Sequence, residues 1–221
     1  MSIVWIIAEP RTGSTAFSKK VAVHLERQYF FADHPDQVQE ALLIKDPKNY
    51  VLYTHSFGVL ERMNLYTDPL ILIRCTRKDK AEQCLSHLCT SWINRHLTES
   101  DQFWNIESED DFDSKLKILN SIEPTIFTKN QVFNYLDHCA TKEKLWNSVV
   151  AKYDTHTVFY EDLCSNGIDI PAISLRYKLQ DGSATIKFPP YKERLCLNHQ
   201  MVRKWVEEYY AQVVELVDTQ R

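Results

Sequence analysis

Residues 3–17 read IVWIIAEPRTGSTAF. Ile3, Val4, Trp5, Ile6 and Ile7 form an unbroken apolar run that predicts a strand buried on both faces. From Thr15 onward Phe17, Val21 and Leu25 recur every four residues, which predicts a helix over 15–27. Between the two lies a turn holding a basic residue, a glycine and hydroxyls. A strand that feeds a helix through such a turn aims unpaired backbone N–H groups and the positive helix end at one point, which suits an anion.

Set against the Walker loop GxxxxGK[ST], Ala8 sits where the first glycine belongs and Gly13 matches the second. Ser14 replaces the lysine, Thr15 keeps the final hydroxyl, and the basic charge has moved to Arg11. A nucleotide kinase or GTPase needs that lysine on the β and γ phosphates, with a metal ion beside them. The turn is poorly built for such chemistry, yet it could still hold a phosphosulfate. The same residues would also serve an ordinary helix start in which a Ser or Thr hydroxyl caps the first turn.

PRTGST, residues 10–15, resembles the 5′-phosphosulfate loop of sulfotransferases, in the PR[ST]GS[ST] form of the carbohydrate-type members. The resemblance implies a P-loop-like loop that binds 3′-phosphoadenosine 5′-phosphosulfate (PAPS) through Arg11, Thr12, Gly13, Ser14 and Thr15. PLILIRCTRKDKAEQCLSH, residues 69–87, is an apolar strand breaking into a basic turn and then a helix with Ala81, Leu85, Leu88 and Trp92 on one face. It resembles the family's 3′-phosphate segment, with Ser86 as its serine and Lys78 at the expected spacing. Arg77, one residue earlier, is the alternative cation, and a solvated basic turn is the plain reading of both.

YVLYTHSF, residues 50–57, is a short strand with a polar stop. Its YTHS resembles the KTH stretch of cytosolic sulfotransferases, which implies that His55 takes the proton from the acceptor hydroxyl, with Tyr53 where the family has lysine. A surface histidine would read the same way, and Glu40 is a second candidate base, since some members use a glutamate after the first helix. VFYEDL, residues 158–163, resembles the family's FYEDL strand and turn, whose carboxylates tie down neighbouring loops.

A length of 221 residues fits one domain, 1–221, with a real core. The formal net charge of −4 argues against nucleic acid as the main partner. The start of the chain lacks the pattern of a secretion signal, and no segment approaches the length of a membrane span. Cys75, Cys84, Cys89, Cys139, Cys164 and Cys196 form no CxxC pair and read as reduced thiols, so a cytoplasmic protein is expected. The histidines are scattered and suggest no metal site.

Strands are expected near 3–8, 50–54, 70–75 and 156–160, with a further one at 29–32, and helices at 15–27, 79–97, 130–152 and 198–217. The last has Asn198 as its cap and Val202, Trp205, Val206, Tyr209, Val213 and Leu216 on its buried face. Such alternation predicts an α/β, three-layer fold: a mostly parallel central sheet with helices on both faces. Ligands then bind beyond the carboxyl ends of the strands, where Arg11, His55 and Lys78 all fall. The stretch 98–128, with its acidic run ESEDDFD, reads as a solvated loop or short-helix insertion, and YKLQDGSATIKF, 177–188, as a hairpin turning at Asp181 and Gly182. The family's glycine-containing RKGxxGxW segment is missing, leaving Lys187, Lys192 and Arg194 as substitutes.

These features together lead to the expectation of a PAPS-dependent sulfotransferase acting on a hydroxyl or amine of a small-molecule, glycan or lipid acceptor. Arg11 and His55 would be the catalytic residues and no metal would be needed. The rival expectations are a P-loop nucleotide phosphotransferase and a noncatalytic nucleotide-binding protein of the same fold.

Overall fold

The computed structural model describes residues 3–9, 12–32, 37, 47–56, 70–97, 109–178 and 191–218. In chain order its main elements are β1 (Ile3–Ala8), α1 (Ser14–His24), β2 (Gln28–Phe31), β3 (Tyr50–Thr54), β4 (Leu70–Thr76), α2 (Lys80–Asn94), α3 (Glu109–Ser121), α4 (Lys129–Val150), β5 (Thr155–Phe159), α5 (Tyr160–Ser165), β6 (Ile168–Ile170), β7 (Leu175–Tyr177), α6 (Lys192–Leu195) and α7 (His199–Asp218). They group into two compact units, Met1–Lys78 with Cys139–Gln180, and Asp79–His138 with Asp181–Arg221.

The first unit contains a five-stranded sheet in the order β2-β3-β1-β4-β5, parallel throughout. The α/β class with a parallel central sheet flanked by helices is therefore what the sequence pattern led one to expect. All six residues of β1 are buried, as its unbroken apolar run requires. Strand alternation sends Val4, Ile6 and Ala8 to the face that meets Phe17, Val21 and Ala22 of α1. Ile3, Trp5 and Ile7 fill the other face and are equally shut away from solvent. The register pairs Ile7 with Thr54 on one side and Ala8 with Cys75 on the other, so β1, β3 and β4 end level with one another. From β1 the chain turns toward β2, and from β4 toward β5 on the opposite side, which makes the β1/β4 boundary the switch point of the sheet.

Two details of this unit depart from the sequence expectation. β5 ends at Phe159 and Tyr160 already opens a helix. Ahead of the expected hairpin, an unforeseen antiparallel ribbon β6/β7 pairs Tyr177 with Ile168. Pro171 cannot continue β6, and Ser174 at φ 52° reverses the chain after a single turn of 3-10 helix. The expected turn at Asp181 and Gly182 lies outside the described residues.

In the second unit, Asp79 caps α2 by accepting from the Glu82 N–H at 2.7 Å. Residues 109–121 of the stretch read as a loop or short-helix insertion form α3, with Asp110 and Asp111 in its first turn, where the helix dipole favours negative charge. Leu119 and Ile122 then bury its far end, and Arg194 of α6 donates to the Leu119 and Ile122 carbonyls there. Asn198 precedes α7 but spends its amide elsewhere. It accepts from the Phe127 N–H at 3.1 Å and donates to the Phe127 carbonyl at 2.8 Å. Val202, Val206 and Tyr209 are buried as expected, whereas Val213 is 40% exposed. The six cysteines are free thiols, four of them buried. Among the described residues no helix is long and apolar enough to cross a membrane.

Phe17 is 1% exposed and ties α1 to the sheet, while Val23 on the same helix is 70% exposed. Phe17→Ala should therefore cost about 3–5 kcal/mol in chemical denaturation, and Val23→Ala only about 0.5 kcal/mol or less.

Candidate functional site

After Ala8 the chain leaves the sheet through Glu9, whose N–H donates to the Cys75 carbonyl at 3.3 Å. The Thr12 hydroxyl folds back to the Glu9 carbonyl at 2.9 Å and closes the turn. Gly13 is the residue before α1, at φ 68° and ψ 9°, a left-handed conformation that side chains with a Cβ rarely adopt. Space forbids one as well: a Cβ at Gly13 would lie 2.7 Å from Cδ2 of Tyr160. Among the described residues no side chain caps α1. Its first backbone bond runs from the Phe17 N–H to the Gly13 carbonyl at 3.2 Å, so the N–H groups of Ser14, Thr15 and Ala16 have no helical acceptor. A turn with this backbone is able to cradle an anion. Arg11 lies outside the described residues, as do Glu40 and Lys187.

The cradle's hydroxyls are wired to β3. Ser14 Oγ is 2.7 Å and Thr15 Oγ1 3.2 Å from the Tyr53 hydroxyl, which in turn lies 2.7 Å from Nε2 of His55. Nδ1 of His55 is 2.7 Å from the carbonyl oxygen of Ala8. A carbonyl can only accept, so Nδ1 carries a proton. In the neutral ring Nε2 then accepts from Tyr53, and Ser14 and Thr15 donate to the phenol oxygen. Tyr53 is 1% exposed, and burial pushes its phenol well above the ordinary tyrosine value despite the two donated hydrogen bonds. It therefore remains a neutral link. Register explains why these groups meet: with Ile7 opposite Thr54, the next residues along, Ala8 and His55, also face each other.

A second polar cluster sits at the switch point. Glu9, 4% exposed, accepts from Thr76 Oγ1 at 3.1 Å and from Arg74 at 3.4 Å. Arg74 also donates to Asn147 Oδ1 at 2.9 Å and to Glu143 at 3.2 Å, and its guanidinium lies 6.0 Å from the Trp146 ring centroid. This fixes the second half of α4 against the end of β4.

The basic turn after β4 is held by the VFYEDL segment. Glu161 accepts from the Lys78 N–H at 2.9 Å and lies 3.4 Å from Arg77, while Asp162 pairs with Lys78 Nζ at 2.7 Å. The Arg77 guanidinium stacks 4.7 Å from the centroid of Tyr160, the ring that abuts Gly13. Arg77 is accordingly the cation tied to the cradle through one ring, and its side chain is 13% exposed, against 52% for Lys78. Ser86 belongs to the second unit, where it is 4% exposed and its carbonyl accepts from Thr90 at 2.7 Å. Lys192 pairs with Glu82 and Arg194 closes the end of α3, so both have structural partners within that unit.

Comparison with protein-family models, with curated proteins and with solved structures returned no match. The site is therefore read from its geometry alone. Sequence reasoning named Thr12, Gly13, Ser14, Thr15 and His55, which the structure places near one another, but treated Tyr53 only as the loss of a lysine and passed over Glu9 and Lys142, whose ammonium lies 3.5 Å from the His55 carbonyl oxygen. Glu9 did carry a signal, being an acid placed directly after a fully buried strand. Lys142, on a helix distant in sequence, carried none.

Gly13→Ala should lower stability by about 1–3 kcal/mol through its positive φ, and Tyr160→Ala in the same chain should recover only the part due to the ring contact, as a double-mutant cycle would measure. A further outcome concerns pH. The raised Tyr53 phenol keeps its proton in the folded chain while an unfolded tyrosine loses it above about pH 10. Folding stability should therefore fall as pH rises past that value, and less steeply in Tyr53→Phe. The buried thiol of Cys75, pushed up by desolvation, adds to the same slope in both proteins.

Proposed function

We propose that this chain is a sulfotransferase that moves the sulfuryl group of PAPS to a hydroxyl or amine acceptor. The observation that carries the reading is the cradle at the end of β1. It combines a left-handed Gly13, three N–H groups without helical acceptors, and two hydroxyls at the helix start. Where a nucleotide phosphotransferase keeps its lysine there is Ser14, bonded to Tyr53.

The N–H groups of Ser14, Thr15 and Ala16, with Arg11, would hold the 5′-phosphosulfate and take up charge developing on the bridging oxygen. Arg77 is the better candidate for the 3′-phosphate, since Lys78 is more exposed and bound to Asp162. In the transfer, the acceptor O–H bond breaks, its oxygen bonds to sulfur, and the bond from sulfur to the bridging oxygen breaks to leave adenosine 3′,5′-bisphosphate. Nε2 of His55 already accepts from Tyr53, so the acceptor's proton would pass to the exposed Thr15 hydroxyl as that hydroxyl's own proton moves to the phenol oxygen and the phenol's to Nε2. His55 is then a base acting through Tyr53, and the relay needs a neutral imidazole.

The occupied Nε2 and the paired Arg77 and Lys78 also suit a noncatalytic nucleotide-binding protein, and turnover separates the two readings. Calorimetry in the presence of chelator should show binding of adenosine 3′,5′-bisphosphate and none of ATP. Labelled sulfate should pass from PAPS to at least one member of a panel of phenols, sugars, lipids and peptides. His55→Ala and Tyr53→Phe should each lower turnover by about 10²–10⁴-fold with bisphosphate affinity retained. Binding of magnesium ATP with none of the bisphosphate would falsify the assignment, and bisphosphate binding without transfer would favour the noncatalytic protein.

A further inference from the structure

At the carboxyl end of the sheet the described cations of the first unit are matched to acids: Arg74 with Glu9 and Glu143, Arg77 with Glu161, Lys78 with Asp162. Lys142 breaks the pattern. It is half-buried on α4, and its described contact is a long hydrogen bond of 3.5 Å to the carbonyl oxygen of His55. Among the described residues no carboxylate comes within 4.0 Å of its ammonium. Glu143, the adjacent acid, is turned to Arg74 instead. One long bond to a neutral oxygen leaves the charge uncompensated and further N–H donors unspent. Such a cation, partly withdrawn from water, is stabilised by the arrival of an anion.

The surroundings say where that anion would lie. His55 directly follows β3, and its ring donates to Ala8 at the end of β1, from which the cradle begins. Lys142 is therefore anchored on the His55 side of the cradle. Its helix is fixed there by the bond from Arg74 to Asn147, one turn beyond Glu143, and by Trp146, which is fully buried. In an in-line displacement the transferring group lies between the phosphate held by the N–H groups and the group that takes the acceptor's proton.

We propose that Lys142 contacts the non-bridging oxygens of the sulfuryl group, supplying the side-chain cation that the cradle lacks at Ser14. This rests on the sulfotransferase reading. It requires that Lys142 recognise the sulfuryl end of the donor and not the adenosine bisphosphate that remains after transfer.

Calorimetry of PAPS and of adenosine 3′,5′-bisphosphate on the full chain tests it without an acceptor. Lys142→Met should weaken PAPS about tenfold or more, as expected for loss of a charge-assisted contact, and leave the bisphosphate within about twofold. Lys142→Arg should keep most of the PAPS affinity, and Lys144→Met, at an exposed neighbouring position, should change neither ligand. If Lys142→Met does not fold, as judged by its thermal transition, Lys142→Gln is read in the same way. Equal losses for the two nucleotides, or no loss for either, overturn the assignment. A wild-type chain that binds neither nucleotide sinks the sulfotransferase reading itself, and Lys142 with it.

Discussion

The burial of β1 on both faces, with a parallel neighbour on each side, is the constraint from which the site follows. A strand with no polar position along its length must place its first polar residues beyond its end, and a parallel register brings the ends of its neighbours to the same level. Glu9 therefore meets Thr76 and Arg74 on one side, and Ala8 receives the His55 ring on the other. The same hydrophobic burial that drives folding gathers the polar groups at one edge of the sheet.

Electrostatically this edge divides in two. Toward β4 and β5, positive charge is compensated by acids from three segments, Glu9, Glu143 and the Glu161–Asp162 pair. These pairs act as fasteners. The Arg74 cluster holds α4, and Glu161 and Asp162 hold the turn after β4, while Tyr160 presses on Gly13 from the same short helix. Toward β3 the polar groups among the described residues include neutral hydroxyls and an imidazole, with the Lys142 ammonium beside them.

Much of the fold was legible because periodicity changes so clearly along the chain. The run Ile3 to Ile7 and the four-residue spacing from Phe17 locate β1 and α1 to within three residues. What could not be read depended on partners far away in sequence. An acidic run that stays largely solvated gives no sign that Leu119 and Ile122 behind it are buried. Asn198 looks like a cap, yet the Phe127 backbone claims its amide. At the site, single residues in the turn were recognisable by type, but Tyr53 gained its meaning from a register that sets β3 against β1. The mutual arrangement of Arg77, Lys78 and the VFYEDL acids likewise depends on the neighbouring ends of β4 and β5, which no spacing within either segment reveals.

The hydrogen bonds running from Ser14 and Thr15 through Tyr53 to His55 have a direction, and that direction is set at the imidazole. While the ring is neutral, Tyr53 gives its proton to Nε2 and the two cradle hydroxyls give theirs to Tyr53, so they show lone pairs to an incoming ligand. A charged ring must donate from Nε2, which turns the phenol proton back toward the cradle and releases a hydroxyl proton to point outward. The orientation of the two hydroxyls is thus written one residue beyond the end of β3, by a side chain that touches neither of them directly.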